Sequence, residues 1–170
     1  MVQGRCVAGE ETQELGRIHS REVDMNILVV DDQPEYRLVL KSLLMEYGWA
    51  VFSAEDGEDA LQAMARMPMD IIVSDIYMPV MDGFKFHQTV RNIPGCKKLP
   101  FLFVSAYDDE CTVNAVKDPR YEAFLKKTAP VESFIAWIKY FALPEDKRPK
   151  HQPDVEASFN LPKLQHAFGL

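Results

Sequence analysis

Residues 70–86 read DIIVSDIYMPVMDGFKF. The β-branched run Ile71, Ile72 and Val73 suits a strand buried on both faces, predicted over residues 70–74 and ending at Asp75. Met78-Pro79 and Asp82-Gly83 mark a loop and a turn. A helix through Phe86, Val90 and Ile93 follows, closed by Pro94-Gly95. The stretch is therefore one strand, a loop headed by a carboxylate, and one helix.

Working outward, the same grammar repeats on both sides. Upstream, residues 27–30 are aliphatic and end in Asp31-Asp32. Pro34 stands where a helix begins. Tyr36, Val39, Leu40, Leu43, Leu44 and Tyr47 then give an apolar stripe at helical spacing, with Gly48 placed to end it. Residues 50–54 form a second strand and Asp56-Gly57 a turn. Ala60, Leu61, Met64 and Ala65 line a second helix that Pro68 stops. Downstream, residues 101–104 are a strand ending at Ser105. Asp108 or Asp109 is placed to cap a short helix carrying Val113 and Val116. Residues 123–125 are a fifth strand, ending at Lys126-Lys127. Pro130 falls near the first turn of a last helix, whose stripe is Val131, Phe134, Ile135, Ile138, Phe141 and Ala142.

Strand and helix thus alternate five times across residues 25–142. Such connections require a parallel sheet with helices on both faces. The expected fold is α/β, a doubly wound five-stranded parallel sheet. Ligands of such sheets bind at the carboxyl ends of the strands. Asp31, Asp32, Asp75, Ser105 and Lys127 all fall at such ends.

The flanks differ. Residues 1–24 are polar, mixed in charge and without period; they read as a flexible extension, or as sequence upstream of a natural start at Met25. Residues 143–170 begin as a linker-like, proline-rich charged stretch. Phe159, Leu161, Leu164 and Phe168 then form a short apolar tail, which either docks on a partner or on this domain, or stays disordered.

Bulk properties narrow the function. Apolar residues make up 47% of the chain, enough for a proper core. A net charge of −7 argues against non-specific binding to nucleic acid or acidic membranes. Cys6, Cys96 and Cys111 make no CxxC pair, and reduced thiols in a cytoplasmic protein are expected. No apolar run is long enough to span a membrane, and residues 1–24 lack the pattern of a signal peptide. Neither GxGxxG nor GxxxxGK[ST] occurs, which removes dinucleotide-binding and P-loop readings.

The strand ends carry the chemistry. Asp31, Asp32 and Asp75 would converge if the first and third strands are neighbours. Like charges packed together are costly without a cation. Oxygen ligands with room for water and phosphate favour Mg2+ over zinc. Each residue alone has a plainer reading: a solvated loop pair, a cap, a hydroxyl bonded to nearby backbone, an exposed pair of lysines. Together they supply metal ligands, an acceptor, a hydroxyl and a cation, the set that phosphoryl transfer uses.

The stretches ILVVDDQPEYR, VFSAEDGEDAL, DIIVSDIYMPVMDGFKF, PFLFVSA and FLKK resemble those of response-regulator receiver domains, over residues 26–141. DIYMPVMDG is the most specific piece. The spacings also fit: 30 residues from Asp75 to Ser105, and 22 from Ser105 to Lys127. The resemblance implies a flavodoxin-like receiver fold with Asp75 as phosphoacceptor. It implies Asp31 and Asp32 as the acidic pair that binds Mg2+, with the backbone carbonyl of Tyr77 as a further ligand. Ser105 matches the switch hydroxyl, Phe124 the switch aromatic, and Lys127 the lysine that meets the phosphoryl group. A histidine kinase or phosphotransfer protein is implied as donor, and a downstream protein as target. The receiver is expected to act as a monomer or a weak, phosphorylation-linked dimer, and not as an enzyme in the ordinary sense.

One departure stands out. The family usually has proline after the lysine, often with a cis bond; here the residue is Thr128. A cis bond before threonine costs about 3 kcal/mol, so the Lys127–Thr128 bond is predicted to be trans. Two alternatives remain at this point. A haloacid-dehalogenase-like phosphatase would want an aspartate at position 77, where Tyr77 stands. A receiver-fold interaction module that is never phosphorylated is the other.

Overall fold

The computed structural model describes residues 25–107 and 115–153. Five parallel strands are ordered β2-β1-β3-β4-β5: β1 Asn26–Val30, β2 Ala50–Ala54, β3 Ile71–Asp75, β4 Phe101–Ser105 and β5 Glu122–Lys126. Between and after them run α1 Pro34–Met45, α2 Gly57–Arg66, α3 Gly83–Asn92 and α4 Val131–Ala142. The strand order reverses direction at β1, which opens a crevice between the carboxyl ends of β1 and β3.

Alternation along each strand builds two cores, one on either face of the sheet. Ile27, Val29, Ile71, Val73, Leu102, Val104 and Leu125 pack under α1 and α4 with Leu40, Leu44, Phe134, Trp137 and Ile138. Leu28, Val30, Ile72, Phe101 and Phe103 face the other way, against Ala60 of α2 and Phe86 and Val90 of α3. β3 and β4 are buried at every position, as strands covered on both faces must be.

Local rules fix the helix ends. Pro34 opens α1, and Gly48 closes the turn after it at φ +84. Asp56-Gly57 is more than a turn: Asp56 caps α2, its carboxylate accepting from the amides of Glu58 at 2.7 Å and Asp59 at 3.0 Å. Asp82 caps α3 likewise, accepting from Lys85 N at 2.8 Å. Gly83 follows because a Cβ there would collide with the carbonyl oxygen of Asp75 and lie 2.8 Å from Ile76 Cα.

The stripe expected on α1 needs correction. Leu40 and Leu44 are buried, but Val39 is 62% exposed. It sits about 100° around the helix from Leu40, beyond the face the sheet covers. Tyr47 lies past the helix end and stacks on Trp49 at 5.5 Å. The helix expected around Val113 falls largely outside the described residues, with Asp108 and Asp109. Val116 is described, half-buried and outside any helix.

Beyond α4 the chain folds back on the domain. Arg148 inserts among three rings, 5.6 Å from the centroids of Tyr121 and Tyr140 and 5.4 Å from that of Phe141. It also donates to the carbonyls of Leu143, Arg120 and Phe141. Gln152 donates to Pro119 O at 2.6 Å. These contacts tie residues 143–153, despite their linker-like composition, to the loop that leads into β5.

Candidate phosphoryl-acceptor site

β1 and β3 are neighbours in register, with Val30 beside Ser74. Asp31, just past β1, and Asp75, the last residue of β3, therefore emerge side by side. Asp31 is 1% exposed and Asp75 5% exposed, while Asp32 faces solvent. Carboxylate oxygens of all three lie within 4.8 Å of one another.

Each buried carboxylate is partly satisfied. Asp31 Oδ1 accepts from Gln33 N at 2.9 Å. Arg37 donates to the Asp31 carbonyl at 2.5 Å and holds the loop after β1. Asp75 Oδ1 accepts from Ile76 N at 2.6 Å and Tyr77 N at 3.3 Å. Asp75 Oδ2 accepts from Lys127 Nζ at 2.8 Å. Asp31 Oδ2 is buried against the Lys127 ammonium, 2.7 Å away.

Pairing of β4 with β5 delivers Lys127 to this place. Ser105 lies beside Lys126 in the ladder, and Lys127 N donates to Ser105 O at 2.8 Å. Lys126 consequently points out and Lys127 points in, its side chain 9% exposed. Burial pulls the Lys127 pKa down, but its contacts with Asp31 and Asp75 outweigh this and hold it above the ordinary lysine value. Burial also raises the Asp31 carboxyl, more than Lys127 and the Gln33 amide lower it. The Lys127 ammonium further sits 4.8 Å from the centre of the Tyr36 ring. Sequence reading placed Tyr36 only in a helix stripe, since nothing in one sequence reveals which ring meets which lysine.

Ser105 is fully buried at the end of β4, its Oγ accepting from Tyr107 N at 3.1 Å. Phe124 lies opposite Phe103 in the ladder and packs half-buried on the α3 side of the sheet. Tyr77 and Tyr107 meet edge to face at 5.6 Å on the rim. No cis peptide bond occurs among the described residues, so the Lys127–Thr128 bond is trans, as expected. His87 Nε2 lies 2.7 Å from Glu122 Oε1, which also accepts from Arg91 Nε at 3.0 Å.

An all-oxygen donor set, two buried carboxylates and an open solvent side at Asp32 fit a hard divalent cation such as Mg2+. Carboxylates and an ammonium thus gather at the carboxyl ends of a parallel sheet, where ligands of such sheets bind.

The comparisons agree. The chain belongs to the response regulator receiver domain family, whose model matches residues 27–139. It is 34% identical over 116 residues to a probable chemotaxis protein CheY of Rhizobium etli, covering 68% of this chain and 90% of that protein. It is 43% identical over 83 residues to the sensor histidine kinase RcsC of Escherichia coli, covering 49% of this chain and 8% of RcsC. The crystal structure of CheY4 from Vibrio cholerae superposes with a TM-score of 0.63 at 29% identity, covering 68% of this chain and 96% of that one. This is a receiver domain of two-component signalling with a flavodoxin-like fold. No helix among the described residues is long and apolar enough to cross a membrane.

Proposed function

We propose that this receiver takes a phosphoryl group onto Asp75 in a Mg2+-dependent reaction and signals by protein–protein contact. The observation that carries this reading is the meeting of Asp31, Asp32 and Asp75 within 4.8 Å, with Lys127 2.8 Å from the Asp75 carboxylate. The donor is the phosphohistidine of a histidine kinase or phosphotransfer protein. An Asp75 oxygen attacks phosphorus, the phosphorus–nitrogen bond breaks, and its electron pair leaves with the imidazole.

Asp31, Asp32, Asp75 and the Tyr77 carbonyl would hold Mg2+, which when bound neutralises charge on the phosphoryl oxygens. Lys127 adds a second positive charge beside the acceptor. The Ile76 and Tyr77 amides on Oδ1 fix the plane of the Asp75 carboxylate. Once the acyl phosphate forms, the Ser105 hydroxyl turns to it and Phe124 takes up the space released. That shifts a two-state population on the face around β4 and β5, which a downstream protein reads. The net charge of −7 supports a protein target over nucleic acid or membrane. A cytoplasmic monomer, or a dimer that forms weakly on phosphorylation, suits this role.

Incubation with acetyl phosphate and Mg2+, followed by intact-mass measurement, tests the reading. Wild type gains one phosphoryl group and Asp75→Asn gains none. No added mass on wild type, under conditions that label a control receiver, returns the chain to an interaction module that is never phosphorylated.

A further inference from the structure

We infer that Tyr36 is a positioning residue for Lys127: its ring face holds the ammonium over Asp75 while the carboxylates change partners. The inference rests on the phosphoryl-acceptor reading and adds to it a residue outside the acidic set.

The geometry is specific. Lys127 Nζ lies 2.7 Å from Asp31 Oδ2, 2.8 Å from Asp75 Oδ2 and 4.8 Å from the centre of the Tyr36 ring. Two sides of the ammonium are therefore met by carboxylates, and a third by an aromatic face. Tyr36 is half-buried in the first turn of α1 and packs on the core under α1 and α4, so its ring has little freedom to leave.

The three contacts are not equivalent during the reaction. Oxygens of Asp31 and Asp75 are the ones a divalent cation and a phosphoryl group would engage. As they do, the ammonium loses part of its hold on them. The ring quadrupole has no such competitor, and it keeps attracting the cation in a site shielded from water. Tyr36 thus limits the excursions of a flexible four-carbon side chain at the step where the side chain must face a new anion. Burial, with the charges of Asp31 and Asp75, also holds the phenol above its ordinary pKa. The ring stays neutral, and its face rather than its hydroxyl makes the contact.

The test compares wild type, Tyr36→Phe, Tyr36→Leu and Tyr36→Met in the full chain. Melting temperatures first establish that each variant folds, and two aliphatic variants guard against the loss of one. NMR of the Lys127 ε-methylene is the structural readout. Ring-current shielding should move it upfield in wild type and Tyr36→Phe and vanish in the aliphatic variants. Mg2+-dependent labelling by acetyl phosphate is the functional readout. The aliphatic variants should slow about three- to tenfold, while Tyr36→Phe stays within about twofold of wild type. An unshielded ε-methylene in wild type overturns the inference, as does full-rate labelling of the aliphatic variants. Equal loss in Tyr36→Phe would make the hydroxyl the active part and also overturn it. Absence of labelling in wild type would instead sink the acceptor reading, and the NMR arm would still decide whether the ring holds the ammonium.

Discussion

Glu122 and His87 stand 35 positions apart in the chain and meet at 2.7 Å, joining the first residue of β5 to the middle of α3. Glu122 is 3% exposed, and its second oxygen accepts from the amides of Lys117 at 2.7 Å and Asp118 at 3.0 Å. Burial pushes this carboxyl up, but the bonds from His87 and the two amides outweigh it and hold the pKa at about 2. A depressed folded-state value contributes stability that is complete above the unfolded value and lost as pH falls through the folded one. The window runs from the ordinary 4.5 down to about 2. Glu122→Gln should cost about 3 kcal/mol at neutral pH in urea unfolding. Its stability should also fall less steeply than that of wild type across that acid window. A parallel acid limb would show that Glu122 carries no such linkage.

Lys127→Ala would leave Asp31 and Asp75 buried without their shared counter-ion. The variant should melt below wild type without divalent cations and gain more from added Mg2+, because cation binding then relieves an unpaired charge cluster. Thermal melts with and without Mg2+ check this. An equal Mg2+ response in the two proteins would count against a shared site.

Val80 has φ +64, a left-handed backbone held by a β-branched side chain in the loop after β3. Such a residue costs about 1–2 kcal/mol there, and asparagine tolerates the region better. Val80→Asn should therefore raise stability by about 1 kcal/mol in chemical denaturation. Val80 is 71% exposed, so little packing is lost to offset the gain.

Gly83→Ala places a methyl against the Asp75 carbonyl and 2.8 Å from Ile76 Cα. Both are backbone atoms and give way only by moving the loop that carries Asp75. A loss of about 1–3 kcal/mol should come with slowed labelling of Asp75. Destabilisation with labelling unchanged would mean that the loop adjusts without moving the carboxylate.

Much of the architecture is legible in the chain itself. Short aliphatic runs that stop at Asp31, Asp75 and Ser105 read as strands with polar carboxyl ends, and the structure ends β3 and β4 at Asp75 and Ser105. What stayed hidden depends on long-range partners. Glu122, His87 and Arg91 each look like an exposed polar residue until β5 is laid beside β4 and α3. Val39 matched the helix period but misses the sheet, because a stripe in sequence does not say how wide a face the neighbours cover. Arg148 sits in a stretch of proline and charge, and nothing local announces that three rings wait for it.

The grip on Arg148 and Gln152 has a spatial corollary. Their carbonyl partners, Arg120 and Pro119, precede β5, so this strap lies at the pole of the sheet where strands begin. Asp75 lies at the other pole. Whatever takes hold of the protein through the far side of that strap leaves Asp75 unobstructed, so anchoring and the proposed phosphoryl exchange need not compete for the same ground.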